Sequence, residues 1–130
     1  MLILTIRTDK PEAEIGLYAD QQRLAYTAWA AHRELAETIQ QRIEELLRQQ
    51  GKTLHELQGI VAYQGPGSFT GLRIGLTIAN ALAYSLELPI VAISNDDWIA
   101  IGLSRLQCGM TDGIALPEYG SPPNITPPRR

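Results

Sequence analysis

The spacing of hydrophobic positions changes along the chain, and each change marks an element. Leu2 to Ile6 is an unbroken aliphatic and β-branched run and reads as a strand. Asp9-Lys10-Pro11 breaks it. Glu14 to Tyr18 and Arg23 to Trp29 read as two further strands, with Asp20-Gln21-Gln22 as the turn between them. The connections are too short for crossover helices, which predicts an antiparallel meander.

From Arg33 the period becomes helical. Leu35, Ile39, Ile43, Leu46 and Leu47 share a face, and Glu34, Glu37, Gln40, Gln41, Glu44 and Arg48 lie largely elsewhere. Gly51 ends this helix, and Thr53 with Glu56 suits the capping of a short turn. Gly59 to Tyr63 is the next strand. A glycine-rich run follows, then a helix from about Ser68 to Leu86. Ile90 to Ile93 is a fifth strand, and Ser94 or Asn95 is placed to cap a third helix running through Trp98, Ile101 and Leu103 to about Gln107.

The order is three antiparallel strands, helix, strand, helix, strand, helix. It predicts a ribonuclease-H-like α/β lobe over residues 1–107, with a five-stranded mixed sheet covered by helices. Residues 108–130 are expected to form a proline-rich tail, since five of the eight prolines fall in residues 117–130.

Composition narrows the function. The 130 residues carry a net charge of −3, so the chain has no basic field with which to grip a nucleic-acid backbone as its principal binder. Cys108 is the one cysteine, so neither an intrachain disulfide nor a cysteine-based metal site can form. The first seven residues are too short an apolar run for a signal peptide, and no segment approaches a membrane span. The expected location is the cytoplasm.

The run Gly65-Pro66-Gly67-Ser68-Phe69-Thr70-Gly71-Leu72-Arg73-Ile74-Gly75 between a strand and a helix invites a phosphate-binding reading. No Gly-Lys-Ser/Thr is present, and Gly65, Gly67 and Gly71 are one residue too widely spaced for the dinucleotide fingerprint. Pro66 also removes a backbone N–H from the turn. By weak analogy only, the amides of Ser68 to Thr70 remain an anion seat.

The helix is more informative. Thr70, Arg73, Thr77, Asn80 and Tyr84 form a narrow polar sector, and the remaining apolar arc spans roughly 240°, far more than one buried face needs. Within it Gly71, Gly75, Ala79 and Ala83 recur every four residues as a smooth ridge. Two readings stand. The ridge packs closely on the domain's own sheet and first helix, or it receives a partner. The width of the arc points to a protein-docking helix.

No catalytic constellation emerges. The first strand ends at Arg7, Asp9 lies two residues on, and the fourth strand ends at Tyr63-Gln64 without an acid. The inward carboxylates of a two-metal nuclease are therefore missing. His32 and His55 are isolated, and Ser68 and Ser94 have no readable His and Asp partners. The expectation is no catalytic residue, no metal and no cofactor.

The motif Gly-Pro-Gly-Ser-Phe-Thr-Gly-x-Arg-Ile-Gly, with His32-Arg33-Glu34-Leu35, Leu54 to Ala62 and Ala79 to Ser94 around it, resembles the N-terminal lobe of the TsaB family. These are the dimerisation subunits of the bacterial tRNA threonylcarbamoyladenosine synthase. The resemblance covers roughly Leu2 to Leu103 and implies an actin-like ATPase fold without catalysis. It also implies a heterodimer with the TsaD-type catalytic subunit, a TsaE-type ATPase in the complex, and only indirect contact with tRNA. The family pairs through its first two helices, here Arg33 to Gln50 and Ser68 to Leu86. The expected interface is Leu35, Ile39, Ile43, Phe69, Gly71, Leu72, Gly75, Leu76, Ala79, Leu82 and Ala83. A homodimer using the same helices with a regulatory role, and a ribonuclease-H-like nuclease or peptidase, are the alternatives. Two features depart from the family: Arg7-Thr8-Asp9 stands where Asp-Thr-Ser is common, and a second lobe is expected to be absent.

Overall fold

The computed structural model describes residues 1–31, 34–67 and 69–118. Strands β1 (Leu2–Arg7), β2 (Glu12–Ala19) and β3 (Gln22–Ala30) form the meander that their short connections require, and β1 runs antiparallel to β2 from Leu2↔Ala19 to Arg7↔Glu14. Strand β4 (Gly59–Gly65) lies parallel to β1, and β5 (Ile90–Ser94) parallel to β4, giving the order β3-β2-β1-β4-β5. The expected five-stranded mixed sheet is therefore present. β1 lies in the middle and is covered on both faces, which is why it reads as a continuous aliphatic run instead of an alternating one.

Helices α1 (Leu35–Gln49) and α2 (Phe69–Leu86) cover one face, and α3 (Trp98–Gln107) covers part of the other. The registers Ala13↔Trp29, Ile6↔Ile15 and Thr5↔Val61 put Trp29 and Val61 on opposite faces, because side chains alternate along a strand. Trp29 meets α1, donating from Nε1 to Thr38 Oγ1 at 3.0 Å with the Arg42 guanidinium 5.2 Å from its ring. Val61 meets α3 at Gly102. The core between α1, α2 and the sheet holds Leu4, Ile6, Ile15, Leu17, Ile39, Ile43, Ile60 and Leu72, all fully buried.

Gly51 has φ of 67°, the left-handed residue that ends α1. Glu56 accepts the Thr53 N–H at 2.8 Å, but only the 3-10 turn Leu54–Glu56 follows. The third helix departs from expectation. Asn95, with φ of 86°, accepts the Asp97 N–H at 2.9 Å in a turn ahead of the helix, and α3 begins only at Trp98. The Ser94 hydroxyl is turned away to the Glu118 carboxylate. Past Cys108, which is exposed, residues 110–118 form no helix or strand but lie along β5 and reach the end of β4. His32, Arg33, Ser68 and residues 119–130, where parts of the predicted helices and tail fall, lie outside the described residues.

Candidate docking surface and the glycine loop

The small-residue ridge of α2 points inward. Gly75, Ala79 and Ala83 are buried, as are Leu72 and Leu76 beside them. A Cβ on Gly75 would lie 2.7 Å from Thr8 Cγ2 and closer still to Thr8 Oγ1. The Thr8 hydroxyl donates to the Gly71 carbonyl at 2.7 Å. The glycines therefore let α2 press its backbone against the end of β1, the close-packing reading. Of the expected interface, Leu35, Ile39, Ile43, Leu72, Gly75, Leu76, Ala79 and Ala83 are buried in the chain's own core, and Leu35 borders the depression described below. Gly71 and Leu82 are half-buried, and the Phe69 side chain lies outside what the structure describes.

The opposite side of the same helices presents a different surface. Ala36 of α1 and Thr70, Arg73, Ile74, Thr77 and Ile78 of α2 line an open groove of about 400 Å³. It is continuous, through Thr70 and Ile74, with a second depression bounded by Lys10, Pro11, Ala31, Leu35 and Gly71. Ile74 and Ile78 are half-buried against the core, and Ala36, Thr70, Arg73 and Thr77 are exposed. One turn beyond Asn80, Tyr84 stands 87% exposed. Among the described residues the groove thus has an apolar floor and a polar rim that carries the Arg73 guanidinium.

The loop that leads into α2 is fastened to the end of β1. Arg7 Nε donates to Asp9 Oδ1 at 2.7 Å and Nη2 donates to Asp9 Oδ2 at 3.3 Å. The Arg7 guanidinium lies 3.9 Å over the Tyr63 ring, which meets the Trp98 ring edge-on at 5.7 Å. Tyr63 Oη donates to the Pro66 carbonyl at 3.3 Å. Asp9 packs on Gly67, where a Cβ would fall 3.3 Å from Asp9 Cα and closer to its Cβ. Burial raises the Tyr63 phenol above its ordinary pKa, and the Arg7 charge works against that rise. Burial also opposes the charge on Arg7, but Asp9 outweighs it and the guanidinium pKa is raised.

Actin-like folds place nucleotide and metal at the carboxyl ends of these strands. The residues here do not fit that group. Arg7 stands at the end of β1, Asp9 is taken up by it, and the Glu118 carbonyl sits on Gly65, which has φ of 123°. Among the described residues no three His, Cys, Asp or Glu side chains are grouped to hold a metal ion. In the sequence alone, Arg7 and Asp9 read only as a lost acid. Their spacing of two residues at a strand end was the available signal for a mutual pair. The involvement of Gln64, Asn80, Thr111 and Asp112 in fastening residues 110–118 had no local signature, because every partner is distant in sequence.

The comparisons with known proteins agree with this architecture. Residues 29–106 match the family model "TsaD: tRNA N6-adenosine threonylcarbamoyltransferase". The chain is 34% identical over 105 residues to the tRNA threonylcarbamoyladenosine biosynthesis protein TsaB of Escherichia coli, an alignment covering 81% of this chain and 45% of that protein. The solved structure of YeaZ from Pseudomonas aeruginosa superposes with a TM-score of 0.68 at 26% identity, covering 82% of this chain and 50% of that one. Thermus thermophilus RuvC, at 13% identity and a TM-score of 0.52 over 92% of this chain and 85% of RuvC, shares the fold alone. The chain spans about half the length of the TsaB and YeaZ relatives it matches. With the matched family model spanning most of the folded lobe, the chain belongs to the TsaD family of threonylcarbamoyltransferase-type domains, as a TsaB-like member.

Proposed function

We propose that the chain serves tRNA threonylcarbamoyladenosine biosynthesis as a non-catalytic docking subunit, pairing with a TsaD-type catalytic subunit through the outer faces of α1 and α2. The observation that carries the reading is the groove of Ala36, Thr70, Arg73, Ile74, Thr77 and Ile78, which leaves two isoleucines half covered on the helices by which the family is expected to pair. An apolar floor with a polar rim suits a partner helix laid lengthwise. The Arg7–Asp9 pair at the end of β1 supports the absence of chemistry, since it occupies the corner where a carboxylate would hold a metal. A TsaE-type ATPase belongs to the same assembly, and tRNA is contacted only indirectly.

Light scattering of the chain mixed with the TsaD-type subunit of the same organism tests this. A heterodimer at micromolar concentration is expected. Two separate masses, with each protein folded, would remove the proposal.

A further inference from the structure

In a parallel ladder alternate residues address each neighbour, so an edge strand turns every second N–H and C=O outward. β5 is such an edge. Its outward groups are met not by another strand but by the segment after α3, through two side chains and one main-chain N–H. The Ile90 N–H donates to Thr111 Oγ1 at 3.1 Å, and the Ile90 carbonyl accepts the Asp112 N–H at 2.8 Å. The Ala92 N–H donates to Asp112 Oδ2 at 2.8 Å. The segment is held in place from the other side. Asn80 of α2 bonds Ala115 through both amide atoms, at 2.9 and 2.7 Å, and Gln64 Nε2 donates to the Leu116 carbonyl at 3.0 Å. Ala115 is buried, and the Glu118 N–H closes the segment on the Gln64 carbonyl at 2.6 Å.

We propose that residues 110–118 guard the β5 edge, and that their release makes β5 a template for strand pairing with β5 of a second copy of this chain. An unpaired edge recruits other chains, and native proteins block it by covering it. The covered strand here is Ile90-Val91-Ala92-Ile93, uncharged and β-branched at every position but Ala92, a sequence of high pairing tendency. The guard uses two side-chain acceptors and a single main-chain bond where a sixth strand would use a ladder, so it blocks the edge without extending the sheet. The inference is independent of the docking proposal, which concerns the far side of α2.

The test is the double substitution Thr111→Val with Asp112→Ala in the full chain, followed by amide hydrogen exchange and light scattering. Exchange at Ile90 and Ala92 is expected to quicken on the order of tenfold, while Leu4 and Val61 amides keep their protection and the mass rises above wild type with concentration. Asp112→Asn, which keeps an acceptor oxygen, should retain wild-type exchange at Ala92. Unchanged exchange in the double variant overturns the proposal, as does faster exchange with a wild-type mass. If Leu4 and Val61 also lost protection, Asp112→Ala alone, which frees the Ala92 N–H and leaves Thr111 in place, is read at Ala92 by the same pair of outcomes.

Discussion

Gly75→Ala distinguishes an inward ridge from an outward one. On an exposed helix face the change would stabilise by about 1 kcal/mol, the difference in helix propensity. Here the new methyl would lie 2.7 Å from Thr8 Cγ2 and closer to Oγ1, and the neighbour is a β-branched side chain at a strand end with little freedom to turn away. Overpacking of this kind costs about 1–3 kcal/mol. Displacing Thr8 also strains its 2.7 Å bond to the Gly71 carbonyl, a loss of about 1 kcal/mol. Set against the propensity gain, the net is a destabilisation of about 2 kcal/mol, or roughly 6–10 °C in the midpoint for a domain of this size. Thermal and urea unfolding of Gly75→Ala and Thr8→Ala, singly and together, would measure it. The pair should be less destabilised than the sum of the singles, because Thr8→Ala removes the two nearest atoms. A Gly75→Ala variant as stable as wild type or more so would refute the inward ridge.

Other expectations follow from the same structure. Arg7→Ala leaves the Asp9 carboxylate, 7% exposed, without its partner, and should cost about 2–3 kcal/mol in urea unfolding, with Arg7→Ala/Asp9→Ala recovering part of it. Tyr26 is raised to about 12, first by partial burial of the phenol, then by its hydrogen bond to Glu14 and the charges of Glu14 and Glu12, with Arg23 opposing. Because the folded pKa lies above the unfolded one, this contribution to stability is complete below the ordinary tyrosine range and falls away as pH rises toward 12. Spectrophotometric titration should therefore lose its step near pH 12 in Tyr26→Phe.

Much of the fold was legible in the chain. The aliphatic run of Leu2 to Ile6, the Asp20-Gln21-Gln22 turn and the stripe from Leu35 to Leu47 fixed elements to within a residue or two, because burial on a given face imposes its own period. The direction of α2 was not legible. A helix with apolar residues over most of its circumference does not say which sector meets the sheet, and small residues serve close approach equally well inside and out. The structure resolves this through Thr8, a contact between residues 8 and 71–75 that no local pattern encodes. It also accounts for the width of the arc. Ile74 and Ile78 lean toward the α1 groove, while Asn80 holds the segment after α3.

In the proposed pairing the outer groove of α1 and α2, and not the ridge, receives the partner. The most direct test of that claim is the affinity of Ile78→Glu for the TsaD-type subunit, by calorimetry, beside a check of its unfolding midpoint. Ile78 is half-buried at the floor of the groove, so a carboxylate there should weaken pairing at least about a hundredfold while the domain remains folded. Wild-type affinity in a folded Ile78→Glu variant would contradict the claim.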